Sequence, residues 1–487
     1  MQKIKINMVF YVSLVVVLSI VTWGMVSAKS FEVAASAAFS FLVSQFGWLY
    51  LLSMSLFVLF AIWLTFSKYG KIKLGTDDST PDYSYLSWFS MLFSAGMGIG
   101  LVFWGVAEPL NHFVNPLALE GGTKAAEEFA MMKSFVHWGL HPWANYSIIA
   151  LGLAYMQFRK GKPGLISSIF IPLLGEKIVA GWVGKTIDIL AIFATVAGVA
   201  TSLGLGTLQI NAGLNFLFGV PETTLVQLII VLFVTILFML SAITGLDKGI
   251  KILSNLNMGL AALLVFIAII IGPTYLIFSN LGEGVLNYAK DFILDANPFG
   301  KDAWHGSWTI FYWAWWIAWA PFVGTFIARI SKGRTIREFM IGVLLVPTIV
   351  SFVWFAVFGS MGMAEGIDVA TQAIAKTETA LFVVMQHYQF GAVISFIAIL
   401  LLCTFYVTSA DSATFVLGMM SSNGNMNPST GIKVTWGTIQ SALALTLMLS
   451  GGLKVLQTAS IVAAFPFVFV MLLAMVSIVK ALREENI

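Results

Sequence analysis

The chain has 487 residues, of which 59% are hydrophobic and only 10% are charged, with a mean hydropathy of +0.91 and a formal net charge of +3. Because soluble domains carry about 25% charged residues, this composition excludes a soluble protein and predicts an all-α polytopic membrane protein. The sequence contains no phosphate loop, nucleophile elbow or metal-ligand spacing, so we expect neither an enzyme nor a nucleic-acid-binding protein.

Apolar segments of membrane-spanning length recur along the whole chain. The first follows Lys3 and Lys5 and could be mistaken for a signal peptide, but its apolar run from Met8 to Val26 is longer than a signal sequence, which predicts a retained span. The twelve predicted spans are 8–28, 47–67, 86–111, 131–156, 184–206, 222–243, 254–278, 303–328, 339–363, 389–412, 432–450 and 456–480.

The third predicted span contains the sequence Gly96-Met97-Gly98-Ile99-Gly100 near its middle. Glycine destabilises a helix by about 1 kcal/mol relative to alanine. This density of glycines therefore predicts an unwound segment with free backbone carbonyls. Close packing between helices is the alternative use of such glycines.

The fourth span contains His137 and His141, which lie one helical turn apart. No carboxylate lies between them and their neighbours are aromatic, so we interpret them as structural residues and not as metal ligands.

The eighth span carries five tryptophans, followed by Ala320-Pro321 and Gly324. Pro321 has no N–H for the carbonyl one turn earlier, which predicts an interrupted or kinked helix. Aromatic walls beside such a break would suit a cation that has no hydrogen-bond donor. The alternative is an aromatic belt at the membrane interface. Such a belt does not readily explain tryptophans that are spread over about three helical turns. The tryptophans are Trp308, Trp313, Trp315, Trp316 and Trp319.

The tenth span ends in Thr408-Ser409-Ala410-Asp411. Hydroxyl groups in membrane helices often bond only to their own backbone one turn earlier. Together with bare carbonyls from the glycine-rich break, however, Thr408 and Ser409 could supply oxygen ligands to sodium.

The third and eighth spans, both predicted to be broken, are five spans apart. Two units of five spans have opposite orientations in the membrane, which is the inverted repeat of many secondary transporters. We therefore expect two peripheral helices in 1–83, a first five-helix repeat in 84–280, a second repeat with a preceding amphipathic helix in 281–480, and a short cytoplasmic tail in 481–487. With both termini in the cytoplasm, most of the 26 basic residues are cytoplasmic, as the positive-inside rule requires.

Three stretches, GMGIGLVFWGVAEPLNHF, HWGLHPWANY and GSWTIFYWAWWIAWAPFVG, together resemble the betaine/choline/carnitine transporter family, and the resemblance covers essentially the whole chain. It implies the leucine-transporter-type fold, with a 5+5 inverted repeat in spans 3–12. It also implies a multi-pass protein of the cell membrane, embedded in the lipid bilayer, that forms a homotrimer and moves osmoprotective quaternary-ammonium compounds by alternating access.

The resemblance also assigns residues to roles. The trimethylammonium group would lie in a box of four aromatic rings, and Pro142 is expected to kink the fourth span between two of them. Sodium would act as the coupling ion, with no other cofactor. The implied substrate-binding residues are Trp138, Trp143, Tyr146 and Trp316, with Trp315, Trp319, Met97, Gly98 and Gly100; the gating residues are Phe322 and Phe326; the sodium ligands are Ser94, Met97, Phe405, Thr408 and Ser409.

Three positions refine this prediction. Sodium-coupled betaine members have two threonines one turn apart in the fifth span; here Thr195 is followed by Val199, so that second sodium site is doubtful unless Thr201 or Ser202 compensates. Sodium-independent exchangers have an arginine in the seventh span, and this chain has none there. Choline-specific members have aspartate where this chain has Gly100, so a zwitterion is favoured.

The sequence therefore predicts a sodium symporter that imports a zwitterionic osmolyte, with glycine betaine as the first choice. The alternatives are a carnitine-type or betaine-type exchanger and a carrier of ectoine or of a cationic or sulfonium osmolyte. A channel or an osmosensor is the alternative from a different class. A channel needs a continuous polar lining, whereas this path is lined by aromatic residues.

Overall fold

The structure, a computed structural model, describes residues 8–96, 98–244, 247–292 and 303–485. Within these ranges the regular elements are helices, and the only extended pairing is an isolated β-bridge between Lys73 and Thr335. Nine helical segments of the described chain are long and apolar enough to cross a membrane. This confirms the prediction of an all-helical polytopic membrane protein.

The helices of the first half are α1 (Met8–Val26), α2 (Ala28–Phe66), α3 (Tyr85–Gly96), α4 (Ile99–Val114), α5 (Lys124–Trp138), α6 (Leu140–Ala154), α7 (Ile171–Leu174), α8 (Glu176–Val179), α9 (Trp182–Phe218) and α10 (Thr224–Thr244). Those of the second half are α11 (Asp247–Ile271), α12 (Thr274–Asp291), α13 (Ala303–Ser307), α14 (Thr309–Ile330), α15 (Ile336–Ala364), α16 (Gly366–Ile374), α17 (Ala380–Met385), α18 (Gly391–Met420) and α19 (Thr430–Arg483). The amphipathic helix predicted to begin at 281 is α12, which begins seven residues earlier.

The tryptophan-rich helix α14 lies at the centre of the bundle and packs against α2, α6, α9 and α19. Every residue of α14 except Phe326 and Arg329 is buried. A helix that is apolar on all sides must be enclosed by other helices or by lipid, and here other helices enclose it. Small residues permit the close packing: a Cβ added to Gly198 of α9 would lie 2.7 Å from Cδ1 of Trp319.

Non-helical glycines interrupt three of the helical stretches. Gly98 (φ −157°, ψ −139°) separates α3 from α4, which confirms the break predicted in the third span. Gly139 (φ −89°, ψ −129°) separates α5 from α6. Gly451 and Gly452 kink α19 in its middle, with Gly452 at a positive φ of 59° that favours glycine.

Two of the predicted breaks are wrong in position. The α14 helix continues through Pro321, whose missing hydrogen bond is tolerated because neighbouring helices enclose this segment; the chain is instead interrupted before α14, at Trp308 (φ −116°, ψ −78°). In the fourth span the break is at Gly139, three residues before the proline. Pro142 stands in the first turn of α6, where a missing N–H costs no hydrogen bond.

The basic segments that follow predicted spans 2, 4 and 8, around Leu74, Arg159 and Arg334, meet at one end of the bundle. Arg159 donates hydrogen bonds to the carboxylates of Asp77 (2.8 Å) and Glu485 (2.6 Å), and the backbone N–H of Leu74 donates to the carbonyl of Arg334 (2.8 Å). The Arg159 guanidinium lowers the pKa of Glu485 to about 2. Arg159 therefore lies between Glu485 and Asp77 and forms ion pairs with both.

Candidate functional site

The break at Gly139 brings the aromatic residues of the fourth span together. In a continuous helix Trp138 and Trp143 would be about 140° apart around the axis, since each residue turns by about 100°. Because the chain leaves the helix at Gly139, the two can contribute to one group of rings. This group, called the aromatic box below, consists of Trp138, Trp143, Tyr146 and Trp316.

The four rings of the aromatic box form a continuous series of edge-to-face contacts. Trp138 and Trp316 have ring centroids 4.8 Å apart at 76°, Trp316 and Tyr146 are 6.4 Å apart at 82°, and Tyr146 and Trp143 are 5.5 Å apart at 83°. All four side chains are buried. Thus the residues predicted to surround the trimethylammonium group lie together, although their role stays a prediction.

Hydrogen bonds fix Trp316 against the break between α5 and α6. Its indole N–H donates to the carbonyl of His137 (2.9 Å), and its own carbonyl accepts from the amide of Asn145 (2.8 Å). The His137 carbonyl is free for this bond because the helix stops at Gly139. The break therefore both positions Trp138 and supplies the acceptor that orients Trp316.

The remaining predicted aromatic residues continue along α14. The ring of Trp315 stacks on Trp316 (4.8 Å, 15°) and meets Trp319 edge to face (6.5 Å), and Trp319 meets Phe322 (5.5 Å). Within the described residues, the buried indole N–H groups of Trp315 and Trp319 have no acceptor. Phe322 is buried and Phe326 is half-buried.

The glycine-rich break lies against these rings. A Cβ added to Gly100 would lie 2.7 Å from Cη2 of Trp315 and 3.1 Å from Cη2 of Trp138, so a side chain at this position would displace both rings. The α4 helix begins immediately after Gly98; the Leu101 N–H donates to the carbonyl of Gly98 (3.1 Å), and a helix start leaves the N–H groups of its first residues, Ile99 and Gly100, without partners in the helix. Met97 lies outside the described residues.

One of the predicted sodium ligands, Ser409, lies beside the same break, and Thr408 precedes it in α18. A Cβ added to Gly98 would lie 3.5 Å from Oγ of Ser409, which places α18 beside the start of α4. The Thr408 hydroxyl accepts a hydrogen bond from Asn257 (3.1 Å) and donates within its own helix, to the carbonyl of Thr404 (3.1 Å) or Phe405 (3.2 Å). Met97 and the Ser94 side chain lie outside the described part of the structure.

At the second sodium position, in the fifth span, Thr195 offers a side-chain oxygen but Val199 does not. Thr195 is buried and its hydroxyl has no partner among the described residues, while Val199 lies one turn further along α9. The hydroxyl of Thr201 is occupied by Ser460 (2.9 Å) and the carbonyl of Leu456 (2.9 Å) of α19. Thr201 therefore joins α9 to α19 and is poorly suited to replace the missing threonine.

Glu108, which was not among the predicted site residues, lies beside the aromatic box and contacts the edge of the Trp138 ring. One carboxylate oxygen accepts hydrogen bonds from the Trp138 indole (2.7 Å) and the Tyr312 hydroxyl (2.6 Å), and the other is 2.6 Å from Nδ1 of His137. The carboxylate is fully buried. The signal that could have revealed it is an acidic residue inside a predicted membrane span, which is by default a candidate functional residue.

The two histidines of the fourth span have different neighbours. His137 joins Glu108 to Thr309, and His141 stacks on Trp313 (4.7 Å, 24°), which supports structural roles for both. Glu108, His112 and His137 place their potential ligand atoms within 4.8 Å of one another. The short hydrogen bond between Glu108 and His137 occupies the space that a metal ion would need between them.

Comparison with known proteins gives one family. The family model described as betaine/carnitine/choline family transporter matches residues 8–487. The chain is 50% identical to the glycine betaine transporter OpuD of Bacillus subtilis, over 99% of this chain and 95% of that protein. It is 44% identical to the ectoine/hydroxyectoine transporter of Virgibacillus pantothenticus (98% and 97% covered) and 40% identical to a glycine betaine/proline/choline transporter of Vibrio parahaemolyticus (98% and 90% covered).

These similarities confirm the resemblance found in the sequence and the prediction of a transporter that is not an enzyme. Together with the nine apolar helices, they identify a multi-pass membrane protein. The chain belongs to the betaine/carnitine/choline transporter family.

Proposed function

We propose that the protein imports glycine betaine by sodium symport, through an alternating-access mechanism, and so serves osmoprotection. The observation that carries the proposal is the aromatic box, whose four buried rings are brought together by the break at Gly139. A trimethylammonium group cannot donate a hydrogen bond, so ring faces are its natural partners. Each desolvated cation–π contact contributes about 0.5–2 kcal/mol.

The carboxylate of betaine has candidate partners beside the aromatic box. The α4 helix starts at the glycine-rich break, and a helix N-terminus favours a negative group through its free N–H groups and its dipole. The indole N–H groups of Trp315 and Trp319 are further donors that lack an acceptor within the described residues. Because Gly100 leaves no space for an aspartate, a substrate that brings its own carboxylate is favoured over choline.

Sodium coupling is supported by the position of α18. Ser409 faces the glycine-rich break, so its hydroxyl, the Thr408 hydroxyl and the carbonyl of Phe405 could act together with carbonyls of the break. Sodium that binds here would hold α18 against the start of α4 and thereby complete the substrate site. One sodium ion per betaine through this site is the simplest stoichiometry, because Val199 supplies no ligand at the second position.

Twelve spans result if the nine long helices are supplemented by two broken ones, α3–α4 and α5–α6, and if α19 is divided at Gly451. In the proposed architecture α1 and α2 are peripheral, and two inverted five-helix repeats make up the remainder. We place both termini in the cytoplasm because the basic loops meet Glu485 at one end of the bundle. The proposed assembly is a homotrimer, as the family resemblance implies.

Ectoine is the second candidate substrate, because a relative with 44% identity is named as an ectoine/hydroxyectoine transporter. Equilibrium binding of radiolabelled glycine betaine to the purified protein, with competition by ectoine, carnitine and choline, separates these candidates. We expect betaine to compete most strongly and its affinity to rise with sodium but not with potassium. Stronger competition by ectoine would overturn the substrate assignment, and equal affinity in both salts would overturn the coupling ion.

A further inference from the structure

Glu108 is the one described carboxylate that hydrogen-bonds a ring of the aromatic box. It lies in α4, and none of its side-chain surface is exposed. Two donors, the Trp138 indole and the Tyr312 hydroxyl, converge on the same oxygen, Oε2. Tyr312 in turn stacks on Trp316 (5.9 Å, 25°). The carboxylate therefore contacts Trp138 directly and reaches Trp316 through Tyr312, and these two rings are the closest pair in the box.

These hydrogen bonds determine the orientation of the rings. An indole has one donor, and fixing that donor on a buried acceptor leaves the ring little freedom to rotate. Trp138 therefore presents the face that meets Trp316 at 76°. Orientation alone, however, would be served equally well by a neutral amide acceptor.

The charge of an ionised carboxylate would add a second effect. Two donors on Oε2 and the His137 ring beside Oε1 offset part of the cost of burying an ionised carboxylate. A negative charge at the edge of Trp138 would attract a cation held over the face of that ring, and the buried position would leave the attraction little screened. The ammonium of Lys133, over the rings of Phe129 and Trp304, and the imidazole of His112, 3.4 Å from Oε1, are the other charged or titratable groups of this cluster.

We propose that Glu108 is a specificity-determining positioning residue: it orients Trp138 and Tyr312 and, through its charge, makes the aromatic box prefer a cationic head group over a neutral one of the same shape. The proposal rests on the function proposed above and adds the residue that produces charge selectivity. It predicts that orientation and charge can be separated by substitution.

The test compares glycine betaine with 3,3-dimethylbutanoate, in which carbon replaces the ammonium nitrogen. Both ligands carry the same carboxylate, so the ratio of their dissociation constants isolates the charge of the head group. In Glu108→Gln the amide oxygen can still accept from Trp138 and Tyr312, and the amide N–H can donate to Nδ1 of His137. We expect betaine affinity to fall roughly tenfold and the affinity of the neutral ligand to change less than about twofold.

Three further measurements make the result decisive. Glu108→Ala removes the acceptor, and we expect it to weaken both ligands. Tetramethylammonium, the head group alone, should weaken about tenfold in Glu108→Gln, which provides a second readout if the neutral ligand binds too weakly. Asp188→Asn is the matched control, because Asp188 is also a buried, hydrogen-bonded carboxylate but accepts from Ser167; we expect no change in the ratio.

The outcomes separate this inference from the proposed function. If the wild-type protein does not prefer betaine over the neutral ligand, the cation-binding box itself is wrong. If the wild type prefers betaine and Glu108→Gln keeps the full preference, the box stands and the charge role of Glu108 is overturned. A parallel loss of both ligands in Glu108→Gln would reduce Glu108 to a purely structural residue.

Discussion

Replacing Trp316 by alanine tests the aromatic box at its most connected member. Trp316 contacts Trp138, Tyr146 and the stacked ring of Trp315 and is 4% exposed. Loss of one desolvated ring face removes about 1.4 kcal/mol of cation–π energy, which corresponds to a tenfold weaker affinity for glycine betaine. Trp316→Phe keeps a smaller, weaker ring face, so we expect a loss of about threefold.

The substitution also removes a hydrogen bond, whose effect must be kept apart from binding. The Trp316 indole donates to the carbonyl of His137 (2.9 Å), and a buried carbonyl without a partner costs about 1–3 kcal/mol of folding stability. Both variants lose this bond, so a difference in affinity between them reports on the ring face. Thermal unfolding of each purified variant, measured without ligand, records the stability cost separately.

Isothermal titration calorimetry with glycine betaine is the assay, since it does not depend on tryptophan fluorescence. Trp313→Ala is the matched control: Trp313 lies on the same helix, is 1% exposed, and stacks on His141 outside the box. We expect its betaine affinity to stay within about twofold of the wild type. Unchanged affinity in folded Trp316→Ala, or an equal loss in Trp313→Ala, would refute the reasoning.

Three further predictions concern the break, the sodium site and the chain terminus. Gly100→Ala should weaken betaine binding about tenfold in titration calorimetry, because the new Cβ would lie 2.7 Å from Trp315 and must displace its ring; native affinity would contradict the close packing. Ser409→Ala should raise the sodium concentration for half-maximal betaine binding several-fold, whereas an unchanged value would remove Ser409 from the site. Arg159 lowers the pKa of Glu485 to about 2 from an unfolded value of about 4.3, so this carboxylate stabilises the fold above pH 4.3 and its contribution is lost as the pH falls toward 2. Glu485→Gln should therefore unfold at a lower temperature than the wild type from pH 8 to pH 5, with the difference shrinking as the pH falls from about 4 to 2; an undiminished difference at pH 2 would contradict the assignment.

The sequence was informative where a residue type has one dominant physical use. Glycines at Gly96, Gly98 and Gly100 weaken a helix wherever they lie, so the break of the third span could be predicted without knowledge of its neighbours. Of the tryptophans of α14, Trp315, Trp316 and Trp319 contact one another in series, whereas Trp313 stacks on His141, and their role in a pocket stays a prediction.

The sequence was misleading where the outcome depends on packing. Pro321 removes a hydrogen bond in any helix, yet α14 stays continuous because enclosing helices hold it in place. Gly139 gave no stronger signal than many other glycines of the chain, but it is the residue at which the fourth span breaks. Glu108 could have been noticed as a buried charge, whereas its partners Trp138 and Tyr312 come from two other helices that only the fold brings together.

We propose above that the protein imports glycine betaine with a sodium gradient as the driving force. Uptake of radiolabelled betaine into liposomes that contain the purified protein, with an inward sodium gradient and an equal potassium gradient as control, tests it most directly. We predict accumulation above the external concentration with sodium and only equilibration with potassium. Uptake that ignores sodium and requires preloaded substrate would show an exchanger and contradict the claim.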